Sequence, residues 1–299
     1  MPDVTTPPAR QDQGVIHDLG YRHYDGPRGG RAQILRALLL ESAKGAYGLG
    51  RAARSKIMPM LLAGAICLPA VVMAIVTSVA GLEELPANYT EYILNVHPLV
   101  MIYVAAQAPA SVSRDLRFRV MPLYFSRPMH RIDYVVAKYA ALTLATFVFM
   151  ALPLTILFVG ALLAKLPLGE QLPDYLRSLG GAALLALVVV GIGLVIASVT
   201  PRRGLGIAAI IAVLAVLAAV QLTVQNIVGF EAQRTAEGYA PLISPFTLVH
   251  SVQSVVFGAE SLLPEPPGTV GELVFVTVTL LLILGSFATL LLRYRKVSI

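Results

Sequence analysis

A chain of 299 residues that is 57% apolar and only 13% charged, with mean hydropathy +0.74, is not a soluble domain, because soluble domains carry about a quarter charged residues. The net charge of +6 and pI near 9.5 do not point to nucleic acid either. The basic residues are spread over the stretches between apolar windows rather than gathered on one stripe. Composition predicts an all-α polytopic membrane protein, and the lone Cys67, inside an apolar stretch, leaves no disulfide framework.

Residues 1–30 are rich in Pro, Gly and charge and read as a cytoplasmic tail. His17 and His23 in that tail lack the Cys or spaced carboxylate of a metal site. No metal is expected. The first apolar stretch starts too late and runs too long for a signal peptide.

Residues 31–55 predict an amphipathic helix lying along the inner leaflet. At 100° per residue Ile34, Leu35, Leu38, Leu39, Ala46 and Leu49 share one half of the wheel, and Arg36, Lys44, Arg51 and Arg54 the other. Leu40 and Tyr47 break the pattern. Packing on a soluble partner is the other use for such a helix. Gly45–Ala52 imitates a phosphate-binding loop, G-x-x-x-x-G-K-[ST]. Arg51 and Ala52 replace the Lys and the hydroxyl, and no buried strand precedes it. The chain has no nucleotide-binding domain by this reading.

Six charge-free windows follow, 57–82, 92–113, 139–164, 178–201, 204–230 and 273–292, each near the roughly 20 residues needed to span the hydrocarbon. They predict a six-span domain over 56–296. A seventh window, 238–259, contains Pro241, Ser244, Pro245, His250 and Gln253 and is too polar and broken to face lipid. We read it as an external re-entrant segment with short helices dipping into the outer leaflet. Six crossings with both termini cytoplasmic put twenty of the 23 Lys and Arg on one side, as the positive-inside rule requires. Asn88-Tyr-Thr90 matches a glycosylation acceptor that means little outside a secretory pathway.

The second and fifth spans are the most polar. Asn95, His97 and Gln107, and Gln221, Gln225 and Asn226, are candidates for a translocation path or a dimer interface. Hydrogen bonding between helices is the equally good structural use. Gly180, Gly181, Gly191 and Gly193 suggest close helix packing. The windows lack Asp, Glu, Lys and Arg, which argues against proton coupling. No H-E-x-x-H or G-x-S-x-G motif supports an intramembrane enzyme.

The stretch that organises the rest is Ser113–Lys138, SRDLRFRVMPLYFSRPMHRIDYVVAK. Six basic residues surround Met121-Pro-Leu-Tyr-Phe125, whose apolar side chains have no lipid to enter on a charged loop. A protein groove suits them; anionic lipid headgroups are the alternative. Arg127-Pro128 stops a helix, and Asp133 is placed to cap the next.

This segment resembles the coupling segment of ABC-2 type permeases, the transmembrane subunits of ATP-binding-cassette transporters. The match lies in Arg114-Asp115 and in Leu123-Tyr-Phe-Ser126-Arg127-Pro128-Met-His-Arg131-Ile-Asp133-Tyr134 with Lys138. The likeness covers about residues 32–296, and Asp115 stands where the family often has Glu. It implies a type V exporter-like fold, a homodimer or a pseudo-dimer with a second permease, and two copies of a cassette ATPase that binds ATP and Mg. It implies a bacterial plasma (inner) membrane protein that exports an apolar, drug-like or lipid-like substrate and has no catalytic residues of its own. Asp115, Leu123, Tyr124, Phe125, Arg127 and Arg131 would make the coupling contact. The rival reading is a non-transporting scaffold or sensor whose basic segment binds a signalling partner or lipid.

Overall fold

The computed structural model describes residues 26, 30–117, 129–200, 202–230, 234–260 and 263–295. Among them every regular element is helical. α1 spans Arg31–Ala46, α2 Arg54–Ala80, α3 Tyr89–Asn95, α4 His97–Arg117, α5 Arg131–Leu163 and α6 Leu168–Val199. α7 spans Arg203–Phe230, α8 Arg234–Tyr239, a 3-10 turn Ala240–Ile243, α9 Pro245–Phe257 and α10 Gly268–Arg295. Five helices, α2, α5, α6, α7 and α10, are long and apolar enough to cross a membrane. A sixth span results if the bent pair α3 and α4 is one crossing. The chain is a multi-pass helical membrane protein.

The bend between α3 and α4 is 59° and has a chemical cause. Pro98 has no N–H, so the Leu94 carbonyl one turn earlier loses its helical donor. His97 Nδ1 meets that carbonyl at 2.6 Å instead. The polar character of this span, read in the sequence as a candidate path, is thus partly spent on the kink itself. Asn88 starts α3 by accepting the Glu91 amide at 2.9 Å, an N-cap that accounts for the first residue of the Asn-Tyr-Thr motif.

The interfacial helix is shorter than expected. α1 stops at Ala46, and the chain turns through Gly48 (φ 69°) and Gly50 (φ 76°) before α2 begins at Arg54. A Cβ on Gly48 would collide with the Ser55 carbonyl, and the left-handed backbone there favours glycine in any case. The glycine spacing that mimics a phosphate loop is therefore a helix-to-helix turn. Tyr47, out of place on the wheel, turns inward: its hydroxyl donates to the Ala145 carbonyl at 2.6 Å. Its ring lies 6.0 Å from that of Tyr103, which stacks on Phe149 at 4.3 Å.

α4, α5 and α6 form the centre of the bundle. α5 and α6, at 33 and 32 residues, are ~50 Å long, well beyond the ~30 Å hydrocarbon layer, so both project past it. Their buried faces are rich in small residues, the packing device available where lipid removes the hydrophobic drive between helices. A Cβ on Gly193 would sit 2.8 Å from Val104 Cγ1, and one on Gly191 would strike Ser286 Oγ and the Tyr139 hydroxyl. These two glycines pack helices, as the sequence suggested.

Residues 238–259 do not form a crossing. α9 has thirteen residues, ~20 Å of helix. The expectation that its apolar side meets lipid needs revision. Pro245 to Gln253 is buried throughout, polar residues included, and only the end of the helix, Val256 and Phe257, is exposed. α9 is packed into the bundle against α6 and α10.

Candidate functional site

Leu123, Tyr124, Phe125 and Arg127 fall in residues 118–128, outside the described residues. The two ends of the basic segment are described, at the close of α4 and the opening of α5. Asp115 Oδ2 accepts the Tyr134 hydroxyl at 2.7 Å and lies 3.1 Å from Lys138 Nζ. Lys138 also donates to the Ser111 carbonyl at 3.0 Å, with its ammonium 5.6 Å from the Tyr134 ring centre. The Lys138 and Asp115 side chains are only 10% and 16% exposed. Burial of one charge alone would be costly, so each requires the other.

One turn away, Asp133 ties the start of α1 to the start of α5. Its Oδ2 accepts the His130 amide at 2.9 Å, closing the first turn of α5 from position N3. Asp133 thus caps as expected of a carboxylate here, but from inside the helix, with His130 rather than Asp133 at the N-cap position. The same carboxylate takes a two-pronged bond from Arg31 at the start of α1, Nε at 2.8 Å and Nη2 at 2.6 Å, the strongest geometry for an arginine–carboxylate pair. Arg131 reaches the other way. Its Nη1 donates to the Arg295 carbonyl at 2.5 Å and the Tyr294 carbonyl at 3.3 Å, at the negative end of α10 where carbonyls lack helical partners. The Tyr134 and Tyr294 rings meet edge-on at 5.3 Å.

Of the predicted coupling residues, Asp115 and Arg131 are therefore engaged within the chain. They fasten the flanks of the segment to α5 and α10. Arg31, Tyr134 and Lys138 complete the fastening. Lys138 was visible as the last residue of the motif, but the pairing of Arg31 with Asp133, 102 positions apart, had no local signal.

Among the described residues the polar candidates stand at separate places on α3, α4 and α7. Asn95 is exposed at the end of α3, and His97 carries the kink and stands 4.8 Å from the Phe246 ring. Gln107 is buried on α4 towards the basic end. Gln221 is buried on α7 and donates to Gln225 one turn on, while Asn226 is exposed. No described cavity is lined by both groups.

At the opposite end of the bundle the structure brings together residues that sequence reasoning passed over. Thr90 and Ser178 hydroxyls are 3.0 Å apart, and Gln253 Nε2 donates to Thr90 Oγ1 at 3.2 Å and to the Arg177 carbonyl at 3.3 Å. The Gln253 amide occupies the space a side chain on Gly181 would fill. His250 sits beside them, 5% exposed, with Nε2 unpartnered among the described residues, and burial pulls its pKa down from 6.5 to about 4. A cavity of ~20 Å³ lies between them, room for one water. Among the described residues no group of three His, Cys, Asp or Glu side chains is placed to hold a metal.

No protein-family model matches this chain, and no curated protein shows significant similarity to it.

Proposed function

We propose that this chain is the membrane-spanning permease subunit of an ABC-2 type exporter, driven by a separate cassette ATPase that docks on residues 113–138. The observation that carries the reading is the fastening of that segment's flanks. Ion pairs and hydrogen bonds join Asp115 and the residues from His130 to Lys138 to the ends of α1, α4, α5 and α10. A displacement applied to the segment would be shared among four helices at once, which is what coupling to an ATPase demands. A loosely tethered loop would absorb the movement. Tyr124, Phe125 and Arg127 are the contact residues in this reading, with Asp115 and Arg131 positioning them. Both termini lie in the cytoplasm, and two copies of the chain enclose the path for an apolar substrate.

Isolation from native membranes in mild detergent should recover a cassette ATPase in stoichiometric amount with vanadate-sensitive ATP hydrolysis. Tyr124→Ala and Arg127→Glu should then lower permease-stimulated hydrolysis about tenfold, the loss of one charged or aromatic contact, with the protein folded as judged by its melting curve. Recovery of the chain without an ATPase, or with a kinase, favours the scaffold reading, in which the same anchored segment docks a signalling partner.

A further inference from the structure

Beside the fastened segment lies a second polar space that the coupling reading does not use. It is a cavity of ~140 Å³ between α1, the glycine turn, α4 and α5, against the roughly 10–15 Å³ that one water needs. Glu41 and Ser42 line it from α1, Arg51 from the turn, Gln107 and Ser111 from α4, with the paired Asp115 and Lys138 at its wall. Gln107 is 6% exposed and its side chain makes no hydrogen bond among the described residues. Glu41 and Arg51 have no oppositely charged partner at salt-bridge distance there either. Gly45 makes the room for Arg51: a Cβ at that position would stand 3.0 Å from Arg51 Nη2. The sequence that mimics a phosphate loop thus ends by laying a guanidinium over the face of α1 that carries Glu41.

We infer that this cavity binds the headgroup of a zwitterionic phospholipid bearing a primary ammonium, a phosphoethanolamine group. The phosphate accepts from the Arg51 guanidinium and the Gln107 amide, and the ammonium donates to Glu41. Three features select this chemistry. The lining carries two acids and two bases, so an anionic headgroup gains no net attraction. It holds no aromatic ring, so a quaternary ammonium finds no cage. The cavity sits under an amphipathic helix just before the first span, and Leu49, two residues before Arg51, is exposed, apolar surface beside which an acyl chain can lie.

The test uses the full chain in nanodiscs of phosphatidylethanolamine, phosphatidylcholine and phosphatidylglycerol in equal parts, followed by release into detergent and native mass spectrometry. Wild type should retain one phosphatidylethanolamine in preference to the other two. Arg51→Gln should lower that retention about tenfold, the size of one charge-assisted hydrogen bond, and Arg51→Lys should restore part of it. Glu41→Gln should shift the preference towards phosphatidylglycerol, which a merely structural role for Glu41 would not do. Circular dichroism and elution volume establish that each variant is folded. Equal retention of the three lipids, or a preference unchanged in both variants, overturns the inference. Binding of soluble glycerophosphoethanolamine without retention of the lipid overturns the membrane source.

Discussion

The two ends of this helical bundle are held by different chemistry. At the basic end the ties are charged: Arg31 to Asp133, Lys138 to Asp115, and Arg131 to the carbonyls of α10. At the other end the buried ties are neutral: Thr90, Ser178 and Gln253, with His250 kept uncharged beside them, and the Arg177–Asp174 ion pair there is exposed. The charged end includes one pair that is almost enclosed and another whose arginine is 54% exposed. The neutral end is sealed by α9. Charged ties tolerate partial exposure and adjust as partners move. A neutral network sealed from water has no such latitude, because a polar group left unpaired there has nothing to replace its partner. The end that is fastened yet partly open is the one that carries the basic segment.

The sharpest way to break this contrast is at the enclosed pair. Asp115→Ala leaves Lys138 with a buried charge and takes the acceptor from Tyr134. The expected cost is ~3 kcal/mol, read as a lowered melting temperature in detergent. Asp115→Leu combined with Lys138→Met should recover most of that loss, because no lone charge remains.

The neutral end responds to protons. His250 is held near pKa 4 in the folded chain against 6.5 when unfolded. Between those values the unfolded state binds the proton and the folded state does not, so stability falls as pH drops from about 6.5 towards 4 and is level above 6.5. The full change is ~3 kcal/mol. His250→Gln should flatten that part of the melting profile, and an unaltered slope would place the titration elsewhere.

The smallest effect belongs to the exposed tie. Arg31→Ala should lower the melting temperature least of the three, since the arginine is half in solvent and the pair is screened by salt. Wild type should approach the variant's stability as salt is raised from 0.05 to about 1 M. A loss that salt does not narrow would mean that Arg31 acts by packing along α1 rather than by its charge.

Much of the architecture was legible in the chain. Windows without charge locate the long apolar helices because a charge at depth is expensive. The polar residues and prolines of 238–259 excluded a crossing. Asp133 could be read as a cap because capping is local, three residues from the backbone it serves. The end of α1 was misplaced because the wheel follows side-chain character, whereas the helix stops where Gly48 and Gly50 adopt positive φ. α9 was misread, and the place of Tyr47 left unread, for a related reason: periodicity reports which face is apolar, not what that face meets.

The candidate site was legible only in part. Ser113–Lys138 stands out by its charge and aromatic content. What its flanks touch was not readable, since the partners Arg31 and Tyr294 lie more than a hundred residues away in sequence. The same holds for the cavity holding Arg51, Glu41 and Gln107, which draws on three separate stretches.

The sequence by itself determined that the chain lives in a bilayer, where its long apolar segments lie and where its charges concentrate, because each depends on composition over a short window. Only the tertiary structure decided that Pro98 and His97 share one kink, that α9 is enclosed, and that the basic segment is fastened to four helices. Those outcomes depend on close approach between distant segments, set by the small residues of α5 and α6 and by buried polar groups, each of which has to find a partner wherever the fold places one.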